Sequence, residues 1–163
     1  MHPLDYTLRS IEAADDGEIC RIIKAVGAEF GAIGEGFGPS DPEVLSMSRH
    51  YHKAANRLYL VATIDDKLMG GGGISSFHGS REVCELRKVF LLQESRGLGI
   101  GKRLTLQCLE YARSQHFRQC YLDTLSSMTS AIRLYETLGF KHLEKPLDET
   151  IHNGCNVWMI KEF

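Results

Sequence analysis

The stretch that most constrains the fold is QESRGLGIGKRL, residues 93–104, together with its flanks. VCELRKVFLL (83–92) precedes it and reads as a strand. After it, Ile100, Leu104, Cys108 and Tyr111 recur on one helical stripe. Between them lie Gly97, Gly99 and Gly101, with Arg96 ahead and Lys102 and Arg103 behind. A helix start leaves its first backbone N–H groups without partners, and they carry the positive end of the helix dipole. Glycines there let the main chain approach a ligand closely. Strand, glycine loop and helix in this order predict a site for a phosphate-bearing molecule. The structural alternative is a tight strand-to-helix turn without a ligand, with Arg96, Lys102 and Arg103 as solvated charges.

Two familiar phosphate loops do not fit. A G-x-x-x-x-G-K-[ST] loop needs glycine where Arg96 stands, and Ser or Thr where Arg103 stands. A G-x-G-x-x-G fingerprint from Gly99 and Gly101 ends on Leu104.

The rest of the chain reads as alternating strands and helices. YTLRSI opens as a strand. Residues 16–30 predict an amphipathic helix through Ile19, Ile22, Ile23, Val26 and Phe30, with Asp15 and Glu18 as a capping box. GAIGEGFGPSDP is a loop, and PEVLSMSRHYHKA a second, shorter helix with Asp41 as cap and Pro42 in its first turn. Residues 58–80 form a hairpin around DDK. QCYLDTL is a strand, SSMTSAIRLYETLGF a helix stopped at Gly139, and FKHLE and CNVWMIKEF are the last strands. This order predicts an α/β (α+β) sheet covered by helices, in one domain over residues 1–163.

Composition narrows the function classes. The formal charge is −2 with no basic block, which argues against a nucleic-acid-binding domain. The five cysteines show no C-x-x-C spacing and read as reduced, buried thiols. His50 and His52 stand two apart on a predicted helix and do not share a face, while His78 and His116 lie apart from them, so no metal site is expected. No apolar run is long enough to cross a membrane and no signal peptide is read, so a cytoplasmic protein is the expectation.

RGLGIG also matches the R/Q-x-x-G-x-G/A motif of the GNAT superfamily of N-acetyltransferases. ELRKVFLLQESRGLGIGKRL resembles that fold's fourth strand and third helix. DTLSSMTSAIRLYETLGF resembles its fifth strand and fourth helix, with the A-x-x-L-Y-E-x-x-G-F signature. The resemblance implies a GNAT fold: a mixed, mostly antiparallel sheet of about six or seven strands flanked by about four helices. It implies acetyl-CoA as co-substrate and acetyl transfer to an amine.

Carried over residue by residue, the resemblance puts the pyrophosphate of coenzyme A on Arg96, Gly97, Leu98, Gly99, Ile100, Gly101 and Lys102. The pantetheine arm pairs with the backbone of Val89, Phe90 and Leu91, and the Leu91 N–H faces the thioester oxygen; Val89 and Leu91 also suit plain core packing. Tyr135 is the candidate acid for the leaving sulfur, the alternative being a packed ring. Glu85 is the candidate base for the amine, the alternative being a strand carboxylate paired with Arg87 or Lys88.

Two departures stand out. Met128 occupies a place where many relatives carry Asn, and Gly70 to Gly73 exceed the glycines usual on the third strand. The latter fit either a bulge that makes room for a ligand or simple close packing. The acceptor is expected between EFGAIGEGFGPSDPE and EKPLDETIHNG, whose Glu29, Glu35, Asp41, Glu43, Glu144, Asp148, Glu149 and His152 either attract a cationic amine or form solvated loops. A small-molecule amine or amino acid is the expected partner. Homodimers are common in the family through the terminal strands, and Trp158 and Phe163 would suit such an interface. A non-catalytic acyl-CoA-binding module, a protein acetyltransferase and a cofactor-free interaction domain are the competing readings.

Overall fold

The structure, a computed structural model, describes residues 5–51, 56–148 and 153–163. Seven strands form one sheet in the order β1-β2-β3-β4-β5-β7-β6. They are β1 (Tyr6–Ser10), β2 (Leu58–Ile64), β3 (Lys67–Ser76), β4 (Val83–Leu91), β5 (Gln119–Thr124), β6 (Lys141–Leu143) and β7 (Val157–Glu162). Every pairing is antiparallel except β4 with β5. The helices are α1 (Asp16–Glu29), the single turn α2 (Met47–His50), α3 (Ile100–Ser114) and α4 (Thr129–Thr137). The expected mixed, mostly antiparallel sheet with flanking helices is therefore what forms.

Strand periodicity sorts the core onto two faces. Leu58 and Leu60 of β2 pack with Leu104, Cys108 and Ala112 of α3. Tyr59 and Val61, the alternate residues, pack with Ile19, Ile22 and Val26 of α1. β2 is buried along its whole length, as a central strand covered on both faces must be. The β2–β3 turn carries Asp65 and Asp66 at φ 49° and 61°, the left-handed pair that matches strand twist in a two-residue hairpin.

Two local expectations are corrected. Asp15 does not form a capping box with Glu18. Its carboxylate accepts from the Glu12 N–H at 2.8 Å and from Arg9 of β1 at 2.7 and 2.9 Å, while Glu18 pairs with Arg21. Arg9 draws the carboxylate back toward the strand and holds it below its ordinary pKa. The second helix is a 3-10 segment, Pro42–Ser46, followed by one α-turn, because Asp41 turns its side chain to a buried lysine rather than to the helix start. The rest of that expected helix, with His52, lies outside the described residues.

Gly70 to Gly73 reflect close packing. A Cβ on Gly71 or Gly73 would overlap the Tyr59 ring, and one on Gly72 would overlap Leu104. None of the four lines a cavity of the site described next. Among the described residues no helix is long and apolar enough to cross a membrane, and no group of three or more His, Cys, Asp or Glu could hold a metal ion.

Candidate active site

β4 and β5 are paired only at Val83–Glu85 against Gln119–Tyr121. Beyond that point they diverge, and the β5-facing edge of β4 loses its strand partner. The register with β3 slips as well: Gly71 faces Phe90 but Gly73 faces Arg87, so Lys88 and Val89 both oppose Gly72. This bulge puts Lys88 at φ 54°, a left-handed conformation that costs a non-glycine residue about 1–2 kcal/mol. Two contacts offset it. The Tyr59 hydroxyl donates to the Lys88 carbonyl at 2.8 Å, and the buried Lys88 Nζ reaches Asp41 at 2.7 Å and Glu43 at 3.2 Å.

The bulge turns two successive side chains to the α1 face. Arg87 Nη2 lies 3.0 Å from Glu43 Oε1, the same oxygen that Lys88 approaches, and Arg87 Nε lies 3.2 Å from Glu85 Oε1. Burial works to raise the Glu43 pKa, but the charges of Lys88 and Arg87 outweigh it and hold the group below its ordinary value. Glu85 is thus a buried carboxylate beside Arg87, the pairing foreseen as its structural alternative.

Where the strands part, a cavity of about 320 Å³ opens. Its walls are the β4 edge at Val89 and Leu91, the glycine loop, and the start of α4 with Tyr135. Gly97 and Gly99 sit at φ 80° and 82°, and nothing stands within 4 Å of where their Cβ atoms would be. Arg103 donates to the Gly99 carbonyl at 3.1 Å as the ladder begins, so the N–H groups of Ile100, Gly101 and Lys102 precede it at the positive end of α3. The loop presents open main-chain donors to the cavity, which is what an anion needs.

The Arg96 side chain also makes contacts within the chain. Its guanidinium grips Glu29 through two bonds of 2.6 and 2.9 Å, donates to the Leu91 carbonyl at 3.1 and 2.9 Å, and lies 5.2 Å from the Phe30 ring centroid. It braces the end of α1 to the end of β4. Tyr135 is 5 % exposed and packs at a tilt against Phe140, and burial pushes its phenol pKa well up, so it is protonated at neutral pH.

A second cavity, about 60 Å³, adjoins the first through Met128, which lines both. Glu85, Phe90, Asp123, Cys155 and Phe37 contribute to its wall. Burial, with the charge of Asp123 second, pushes the Cys155 thiol up to about 12.

Of the residues expected on the coenzyme, Val89, Leu91, Arg96, Gly97, Gly99, Ile100, Gly101 and Lys102 line the larger cavity together with Tyr135. Phe90 and Glu85 line the smaller one, and Leu98 is exposed and lines neither. Of the acidic loop residues, Asp41 and Glu43 turn inward to Lys88, Glu29 pairs with Arg96, and Glu35, Glu144 and Asp148 are exposed. Glu149 and His152 lie outside the described residues. Sequence reasoning missed Val26, Phe30, Asp123 and Phe37 as wall residues; only Asp123, at the end of a strand entering the cleft, carried a legible signal.

Comparison with known proteins agrees with this geometry. The acetyltransferase (GNAT) family profile matches residues 27–140. The N-acetyltransferase YjgM of Escherichia coli is 36% identical over 162 residues, covering 98% of this chain and 96% of that protein. N-acetylaspartate synthetase of Xenopus tropicalis is 33% identical over 103 residues, 62% of this chain and 37% of that one. Among solved structures, a GNAT acetyltransferase from Staphylococcus aureus superposes with a TM-score of 0.84 at 18% identity, covering 97% of this chain and 99% of that one. YncA of Salmonella typhimurium, solved with acetyl-CoA, gives 0.76 at 21% identity, covering 97% and 94%. Strands that part beside a glycine loop, the family profile and the near full-length relative lead to one conclusion: the chain belongs to the GNAT family of N-acetyltransferases.

Proposed function

We propose that the protein moves the acetyl group of acetyl-CoA directly to the primary amine of a small molecule or amino acid. The observation that carries this reading is the larger cavity itself. It joins open main-chain N–H groups at Gly97–Lys102 to a buried, protonated Tyr135 along the unpaired edge of β4. The pyrophosphate would rest on the loop, and the pantetheine arm would take the place of the missing strand beside Val89, Phe90 and Leu91.

Acetyl-CoA supplies an acetyl group activated as a thioester. The chain's own groups supply the rest. Leu92 donates its N–H to the Met69 carbonyl on β3 at 2.8 Å, and alternation along the strand turns the Leu91 N–H the other way, toward the cleft. That N–H can stabilise charge on the carbonyl oxygen. Glu85, at the wall of the smaller cavity, takes the proton that the attacking amine must lose, directly or through water. Tyr135 gives its proton to the sulfur as the C–S bond breaks.

The test is free-thiol release from acetyl-CoA over a broad panel of primary amines, with wild type and Tyr135→Phe side by side. Turnover on an amine that collapses in Tyr135→Phe supports the reading. Tight coenzyme binding with no turnover on any amine would replace it with a non-catalytic acyl-CoA-binding module.

A further inference from the structure

The smaller cavity is roofed by two loops that meet at a pair of glycines. The loop after α1 and the loop before β7 are joined by the Gly154 N–H, which donates to the Gly36 carbonyl at 2.9 Å. Phe37 lies against Gly154 so closely that a Cβ there would stand 2.5 Å from the ring. Gly36 is equally constrained, at φ 86° and with its would-be Cβ 3.1 Å from the Gly154 nitrogen. Phe37 and Cys155, on the two sides of this junction, both line the cavity below. The 60 Å³ beneath the roof holds about two waters at their share of liquid volume.

We infer that the Phe37–Gly154 clasp is the size filter of the acceptor site, admitting compact primary amines and rejecting amines borne on a peptide or protein. The inference rests on the proposed function for what enters the cavity, but the clasp can be tested without it. The wall is charged as well as narrow: Glu85 and Asp123 line it together with Arg87, which pairs with Glu85 and Glu43, and Lys88, which Asp41 holds. A Cβ at position 154 would stand 2.5, 2.6 and 2.8 Å from three atoms of the Phe37 ring, so the ring must shift. Removing the ring opens the same roof with no new contact.

Two readouts on wild type, Gly154→Ala and Phe37→Ala test this. The first is labelling of Cys155 by N-ethylmaleimide and by fluorescein maleimide, located by peptide mass mapping, with half-buried Cys20 on α1 as the control. The second is the kcat/KM for glycine and propylamine against triglycine. Wild type should favour the compact reagent at Cys155 and the compact amines. Both variants should raise the bulky-to-compact ratio about tenfold or more in each readout, with coenzyme A affinity and Cys20 labelling unchanged. Equal labelling of Cys155 by both reagents in wild type, or ratios unmoved in Phe37→Ala, would overturn the inference. Should Gly154→Ala fail to fold, Phe37→Ala decides alone. Should wild type turn over no amine, the proposed function fails while the labelling ratio still judges the clasp.

Discussion

Gly101→Glu separates binding from folding in opposite directions. A Cβ at Gly101 would stand 3.6 Å from Leu91 Cδ1 and 3.9 Å from Leu134 Cδ2, ordinary contacts that need no rearrangement. Position 101 is the second residue of α3, where replacing glycine gains about 0.5–1 kcal/mol of helix propensity. A carboxylate near a helix N-terminus adds about 0.3–1 kcal/mol. The free variant should therefore melt at or above the wild-type temperature. The same carboxylate would sit in the anion cradle. Two unit charges about 4 Å apart repel by about 4 kcal/mol at an effective dielectric constant of about 20, and solvent at this half-exposed position reduces that to about 2–4 kcal/mol. Coenzyme A affinity should fall roughly 30- to 1000-fold. Calorimetric titration with coenzyme A, paired with a thermal melt, reads both quantities. Gly101→Ala, which adds no charge, should lose much less. Affinity within a few-fold of wild type in a folded Gly101→Glu protein would show that the phosphates bind elsewhere.

Tyr135→Phe should lower kcat by about 10²–10⁴-fold with coenzyme affinity unchanged, as titration and steady-state rates would show; equal loss in both would make the phenol a packing residue. Glu85→Gln should slow turnover most at low pH, with the deficit shrinking as solvent deprotonates the amine; a pH-independent deficit would remove the base role. Lys88→Met leaves Asp41 and Glu43 short of their buried cation, and a denaturant melt should show a loss of about 3–5 kcal/mol. Asp15 and Glu43 are both held below their ordinary values of 3.8 and 4.5, so they contribute stability that is fully present above those values and is lost as the pH falls through the lower folded ones. The wild-type melting temperature should accordingly drop below about pH 4, and the drop should be shallower in Lys88→Met. Gly70→Ala should cost about 2 kcal/mol or more, since its Cβ would meet the Phe90 carbonyl oxygen at 2.0 Å, whereas Gly72→Ala meets movable side-chain ends and should cost less; matched melts compare them.

What the sequence disclosed was local. The glycine loop, its strand and its helix are contiguous, so these elements could be read from spacing alone, as could the stop at Gly139 and the amphipathic run of α1. What it concealed depends on partners brought from a distance. Asp15 looked like a helix cap because Arg9 lies on a neighbouring strand rather than in the helix. The ion pair between Arg96 and Glu29 joins residues remote in sequence, so spacing gave no sign of it. The Lys88 bulge follows from register against Gly72, and no propensity marks it. The cleft arises from the early end of β4–β5 pairing, a property of two strands separated by a whole helix. Phe37 and Gly154 each looked like ordinary loop residues until the fold set them in contact.

The central claim is that the main chain of the glycine loop holds the coenzyme. The most direct measurement is an amide NMR titration of the uniformly ¹⁵N-labelled protein with coenzyme A. The account predicts saturable shifts concentrated at Gly97 through Lys102 and along the β4 edge at Val89 to Leu91. Saturable binding that leaves those amides unmoved, or no binding at all, would contradict it.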